Sequence, residues 1–574
     1  MPRTLPPSLS RGRPPRSEER EGGARRRAAK PAAAGAGSAL RSPPRCSIIG
    51  PPPSMTATVR RTRTCRSALV AGLAALAAVA AAAPATASQR DFPRDFLWGT
   101  AISGFQTEAG GRPSHADRGS DWWVWSHDRG NIDAGRVSGD RVEKGPGHWR
   151  LYRRDARLAT DRLGANAYRF SLEWSRLFPR STAAARTPRE LDRLVDEGAA
   201  RHYGAELRRV RGLGMTPMVT LNHFTLPSWL HDPLAVNAAL AGVGPDEPVP
   251  PVERGGWLDR RTVREYRKFA AWASWRYGEQ VRLWVTLNEP MVVAVNGYVN
   301  VPGVIAGWFP PGAFTIAGTV RVVRNLIRAN AAGYDAVHRH DRRAAVGPVH
   351  NMIAFTPSDP GSASDVEAAG HADYIFNRLF LNAAVDGIED GDIDGEIEPG
   401  ERRPELRGAD FVGLNYYFRS RVTGLGAPVS SRIPLYDFIA TNSYSTPESP
   451  AAPPCPTTCT EFGWEIYPRG FRRVLATAGG YGLPVYVTEN GIADGDDDQR
   501  AAYLRSHLAA LAAAMRAGVV DARGYLAWTL VDNFEWSSGY YPRFGFFSYD
   551  PVTLRRHERP SAAVFRRIAH SGRL

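Results

Sequence analysis

The chain has 574 residues, 43% hydrophobic and 23% charged, with 56 Gly, 45 Pro and four Cys. This composition excludes a wholly disordered chain, a collagen-like fibre and a disulfide-dense miniprotein, while the length admits one large barrel with insertions. The formal charge of +15 sits at the start: residues 1–87 hold 15 Lys and Arg against three Glu, leaving +3 on the rest. A phosphate-binding body is thereby disfavoured, and no nucleic-acid partner is expected.

In chain order, residues 1–54 are rich in Pro, Arg, Ala and Gly and read as a disordered leader or as sequence ahead of a misassigned start. Residues 55–87 have the parts of a secretory signal peptide. Arg60, Arg61, Arg63 and Arg66 precede an apolar run from Ala68 to Ala83, followed by Ala85-Thr86-Ala87. The run is shorter than the ~20 residues that span a bilayer, so a secreted protein with no membrane attachment after cleavage is expected. Residues 88–574 then form one domain.

Short β-rich runs recur from there: Phe96–Ser103, Ala167–Leu172, Thr216–Leu221, Arg282–Leu287, Ala344–His350, Phe411–Tyr416, Val485–Thr488 and Gly524–Leu530. Helical stretches alternate with them, among them Trp149–Leu163, Arg201–Leu213, Val263–Tyr277, Thr319–His340 and Arg500–Ala517. Strand alternating with helix implies parallel strands and crossovers, and eight such units predict an α/β fold, a single (β/α)8 TIM barrel with long βα loops. The Pro-, Ser- and Thr-rich segment Thr423–Glu461 reads as a loop over the barrel mouth.

In such a barrel chemistry collects at the carboxyl ends of the strands. Those ends carry Gln106 and Glu108, Arg169, His223, Asn288 and Glu289, Asn415 and Tyr417, Glu489, and Trp528. Two stand out. Val-Thr-Leu-Asn288-Glu289-Pro290 ends the fourth strand and Val-Thr-Glu489-Asn490-Gly491 the seventh. Pro290 is expected to hold Glu289 extended and Gly491 to permit a tight departure. Paired carboxylates across a cleft are what cleavage of a glycosidic bond requires.

At these residues the sequence resembles glycoside hydrolase family 1, the β-glucosidase and β-galactosidase family. The resemblance runs through Phe96-Leu-Trp-Gly-Thr-Ala, Gln106-Thr-Glu108, Tyr168-Arg169-Phe-Ser-Leu-Glu-Trp174, Leu221-Asn-His223, Asn288-Glu289-Pro290, Asn415-Tyr-Tyr417, Glu489-Asn490-Gly491 and Asp532-Asn-Phe-Glu535-Trp536. The stretch Ser120-Asp-Trp-Trp-Val-Trp-Ser-His-Asp is similar to the branch with archaeal β-glycosidases. It implies a retaining β-glycosidase that hydrolyses terminal non-reducing β-linked sugars of small glycosides or oligosaccharides without a cofactor. Glu289 matches the acid/base and Glu489 the nucleophile, with Arg169, Tyr417 and Asn415 as its supports. Gln106, His223, Asn288, Glu535, Trp536 and Phe544 match sugar-binding positions, and Trp528 the stacking floor, joined to Thr529 by a cis peptide. His223-Phe224 departs from the His-Trp of many members. Transglycosylation through the same intermediate and a non-catalytic sugar-binding barrel are the alternatives, the second opposed by the presence of both glutamates. A phosphosugar substrate is disfavoured because Glu535 would repel a phosphate.

Two features fall outside this frame. Asp390, Asp392, Asp394 and Glu401, with Gly395 between, carry the spacing of a calcium loop, but Pro399 and Pro404 disfavour an exiting helix and a solvated acidic turn is the plainer reading. Asp494–Asp498 reads as a turn and helix cap. Cys46 and Cys65 leave with the leader, while Cys455 and Cys459 remain in Cys-Pro-Thr-Thr-Cys. With no further Cys or His for zinc, a local disulfide is expected in an oxidising compartment, the alternative being two free thiols. Oligomeric state is left open.

Overall fold

The computed structural model describes residues 91–299, 308–447 and 449–574. The expected leader (1–54) and signal peptide (55–87) lie outside the described residues. Eight strands carry the architecture: β1 (Leu97–Ala101), β2 (Ala167–Ser171), β3 (Thr216–Asn222), β4 (Leu283–Asn288), β5 (Ala345–Asn351), β6 (Val412–Tyr416), β7 (Val485–Asn490) and β8 (Ala522–Trp528). They pair in parallel in chain order, and β1 closes the barrel against β8. Each is followed by a crossover helix: α1 (His148–Leu163), α2 (Glu197–Gly212), α3 (Arg260–Tyr277), α4 (Ile316–His340), α5 (Ala363–Asp373), α6 (Pro468–Gly479), α7 (Arg500–Arg516) and α8 (Ser561–Ser571). The chain is a (β/α)8 barrel, as expected.

Alternation along the strands separates two cores. Met218, Leu283, Val285, Val349, Phe411 and Leu526 form a cluster of their own, while their strand neighbours Val219, Trp284, Val412 and Tyr525 join the large core that includes the helices. The barrel interior is thus filled by side chains from neighbouring strands, and a ligand is left the mouth at the strands' carboxyl ends.

Where the helices differ from expectation, caps are the reason. α2, α3 and α4 begin three or four residues before the expected starts, because Asp196, Asp259 and Thr315 accept hydrogen bonds from Ala199, Arg261 and Gly318 and so hold one further turn in the helix. Thr423–Glu461 is not simply a loop: Phe438–Thr441 pairs antiparallel with Arg419–Gly424, which pairs in turn with Ala354–Pro357. Asp494 caps α7 as expected, accepting from the backbone of Gln499 and Arg500 at 3.1 and 2.7 Å.

Candidate active site

Glu289 follows the last residue of β4 and Glu489 lies in β7, with 7% and 3% of their surfaces exposed. Glu289 is not extended as Pro290 led us to expect. It sits at φ 49°, ψ 57°, with its N–H donating to the carbonyl of Val349 in β5 at 2.8 Å, so neighbouring-strand pairing overrides the local preference. Phe224 (φ 71°) and Trp536 (φ 51°) are left-handed as well. Three non-glycine residues in this region thus clustering around one mouth mark a site whose geometry the fold imposes. Gly491 is required for close approach rather than for a turn: a Cβ there would lie 1.8 Å from the carbonyl oxygen of Trp528.

The two carboxylates have unlike partners. Arg169, in β2, donates from Nη1 to Glu489 Oε1 at 2.5 Å, and the hydroxyl of Tyr417 donates to Oε2 at 2.6 Å. Arg169 is itself fixed by Thr220 Oγ1 at 3.1 Å and by Asn288 Oδ1 at 2.6 Å. Asn415 is not a support of Glu489: its amide donates to Glu289 Oε1 at 2.6 Å and is oriented by the Thr488 hydroxyl. Asn351, at the end of β5, donates to the same Glu289 oxygen at 3.2 Å. One relay therefore runs Glu489–Arg169–Asn288–Asn415–Glu289 across the mouth. Burial and then the charge of Glu489 raise the Glu289 pKa to about 8, against hydrogen bonds from Asn415 and Asn351.

Around the pair lie the expected polar groups. Gln106, on the short helix Gly104–Thr107, donates to Asn533 and Glu535 at 3.1 and 3.3 Å. Burial, then the charges of Glu489 and Glu289, push Glu535 to about 8. His223 is driven well below the usual imidazole range by burial and by Arg169. Its Nε2 meets the Asn288 amide at 3.3 Å and its buried Nδ1 has no partner among the described residues, so a neutral ring with the proton on Nδ1 is poised to donate to a hydroxyl. Trp528 and Trp536 flank that ring at 6.1 and 5.9 Å, nearly parallel to it. The Trp528–Thr529 peptide is cis, as the resemblance implied. Phe544 stands edge-on to Tyr417 at 5.9 Å.

Of the strand-end residues, Glu108 turns away, accepting from Tyr203 at 2.7 Å and pairing with Arg176 at 2.8 Å. Asn351 is a further polar group at the mouth that the strand-end reading does not include, although it ends an apolar strand as Asn288 does. The acidic segment does gather carboxylates: Asp390, Asp392 and Asp394 approach one another, as do Asp392, Glu398 and Glu401. Yet Asp390 accepts from the backbone of Ile393 and Gly395 and from Tyr374, and Glu401 from the backbone of Gly391 and Glu398. Those bonds close an acidic turn on its own backbone. Cys455 and Cys459 are disulfide-bonded.

Comparison with known proteins agrees with this geometry. The family model described as glycosyl hydrolase family 1 matches residues 88–235 and 246–573. The chain is 36% identical over 511 residues to a β-galactosidase of Pyrococcus woesei, covering 83% of this chain and 96% of that protein. It is 37% identical to a β-galactosidase of Sulfolobus acidocaldarius, covering 84% and 95%. Among solved structures, the β-glycosidase of Thermosphaera aggregans superposes with a TM-score of 0.72 at 34% identity, covering 85% and 98%. A Thermotoga maritima β-glucosidase in complex with glucoimidazole superposes at 0.66 with 27% identity, covering 85% and 100%.

Proposed function

The chain belongs to glycosyl hydrolase family 1 and is an O-glycosyl hydrolase of β-glycosidase type, and from that premise we propose that it cleaves terminal β-linked glucose or galactose by double displacement. The observation that carries this reading is the asymmetry between the two buried carboxyls. Glu489 takes two donors, one a guanidinium, which stabilise negative charge on it, whereas among the described residues Glu289 takes only neutral amides, and it binds its proton up to about pH 8. One is equipped as a nucleophile and the other as an acid.

In the first step Glu489 attacks the anomeric carbon while Glu289 gives its proton to the departing glycosidic oxygen. The ester formed between Glu489 and the sugar carries no charge. The repulsion that raised the proton affinity of Glu289 is thereby removed, and Glu289 becomes the base for an incoming water. That water attacks the same carbon from the opposite face, the C–O bond to Glu489 breaks, and the proton left on Glu289 restores the starting state. Gln106, His223 and Glu535 supply donors and acceptors for the sugar hydroxyls, and Trp528 supplies an apolar face. A related enzyme solved with glucoimidazole supports a glucose-shaped site.

Because the acid must be protonated to act, the sign of the pH dependence follows. For an aryl β-glucoside with a poor leaving group, kcat/KM should fall about tenfold per unit once Glu289 deprotonates, beginning near its pKa of about 8. A pH–rate profile on phenyl β- and α-glucosides, whose phenolate is a poor leaving group, tests the reading. Turnover of the α-anomers, or a rate that stays level into strongly alkaline buffer, would contradict it.

A further inference from the structure

The only cysteines after residue 87 are Cys455 and Cys459, and they are joined. Their place in the fold gives the bond a use. Inside the ring it closes, the Thr457 hydroxyl donates to Glu465 Oε1 at 2.7 Å. Cys459 faces Glu465 across an antiparallel bridge, and the Ile466 N–H donates to the Thr458 carbonyl at 2.9 Å. Glu465 is fully buried and is also gripped by Arg419, whose Nη2 donates to Oε1 at 2.6 Å. Arg419 follows Tyr417 by two residues and lies 4.2 Å from the centre of the Tyr467 ring.

Between the ring and the catalytic pair stands Trp464, the residue just before Glu465. It is only partly buried, and its ring packs on Phe418 at 4.7 Å, on Tyr417 at 5.5 Å, on Phe462 at 4.6 Å and on Phe544 at 6.0 Å. Tyr417 donates to Glu489. The indole is therefore an aromatic wall one side chain removed from Glu489, and its backbone is held by Thr460 on one side and by the Glu465 knot on the other. The same turn is tied to the β7 and β8 loops through Glu461, which accepts from Gly495 and Arg543. These ties fix where the turn sits, whereas the disulfide ring fixes the strand opposite Glu465.

We propose that the Cys455–Cys459 ring is a specificity-determining clamp for the leaving group: it sets Trp464 as a rigid wall against which a planar aglycone stacks, so the enzyme's preference for aromatic over small alkyl glycosides depends on the oxidation state of this one bond. Reduction is a balanced exchange. A dithiol gives two electrons and two protons, the S–S bond breaks to two thiols, and the reductant closes its own disulfide. Thr457 is then released from its five-residue ring, and Glu465 loses a fixed partner. The ring's own bonds, from Thr457 and Thr458 to Glu465 and Ile466, reach neither carboxyl of the reacting pair.

This proposal rests on the reading of Glu289 and Glu489 as the reacting pair, and the experiment separates the two. Oxidised enzyme is assayed with p-nitrophenyl β-glucoside and with methyl β-glucoside, then again after full reduction by a dithiol, with thiols counted and melting followed in parallel. Turnover of methyl β-glucoside by the oxidised enzyme tests the catalytic reading alone. The clamp predicts that on reduction KM for the aryl substrate rises about fivefold, the scale of one aromatic contact, while kcat/KM for the methyl glycoside changes less than about twofold. The variant Cys455→Ser/Cys459→Ser, without reductant, should behave as the reduced wild type and should not respond to dithiol. Equal losses on both substrates would mean a general loosening, and no change on either would mean the ring is inert. Either result overturns the proposal.

Discussion

Glu489→Gly is expected to lower kcat by between about 10⁴- and 10⁶-fold, the range seen when a group that forms a covalent intermediate is removed. The loss should exceed that of any other single substitution in the site, because Arg169 and Tyr417 both spend donors on this carboxylate. Glycine also leaves a space beside the anomeric carbon, flanked by those same donors. Added azide or formate should enter it and restore cleavage of a substrate with a good leaving group, giving an α-configured azide adduct. Absence of rescue in a folded variant, or a β-adduct, would contradict the assignment of Glu489.

Glu289→Ala is expected to divide substrates by their leaving group. A poor leaving group needs its oxygen protonated, so kcat/KM should fall about 10²- to 10⁴-fold. A dinitrophenolate departs without help, so its glycosyl transfer to Glu489 should be nearly spared and the second step should become limiting. The alkaline limb assigned to Glu289, whose pKa of about 8 comes first from burial and then from Glu489, should vanish for that substrate. Azide should now accelerate turnover by attacking the intermediate without a base, and should yield the β-adduct. A uniform loss across leaving groups would remove Glu289 from the role of acid.

Much of this was legible in the sequence because the strands are short, apolar and bounded by polar residues. All eight lie within two residues of the expected bounds. Helix starts were less legible, since each is set by a single capping side chain, Asp196, Asp259 or Thr315, rather than by the apolar period further along. The strand Phe438–Thr441 was hidden by its Pro- and Ser-rich surroundings, and only pairing with Arg419–Gly424 makes it a strand. At the site, residue types were readable but partnerships were not. Asn415 and Tyr417 are two apart, so alternation along an extended chain turns both toward the mouth, but it does not say that one bonds Glu289 and the other Glu489. The left-handed backbone of Glu289 contradicts the rule for a residue before proline, because the register of β4 on β5 outweighs a local preference of a few kcal/mol at most.

The central claim is that Glu489 attacks carbon rather than activating water, and the configuration of the first-formed sugar reports this directly. Proton NMR of p-nitrophenyl β-glucoside hydrolysis, recorded before mutarotation sets in, should show the β-anomer of glucose appearing first, because two inversions restore the starting configuration. The α-anomer as first product would mean a single displacement by water, and Glu489 would then be a base rather than the nucleophile.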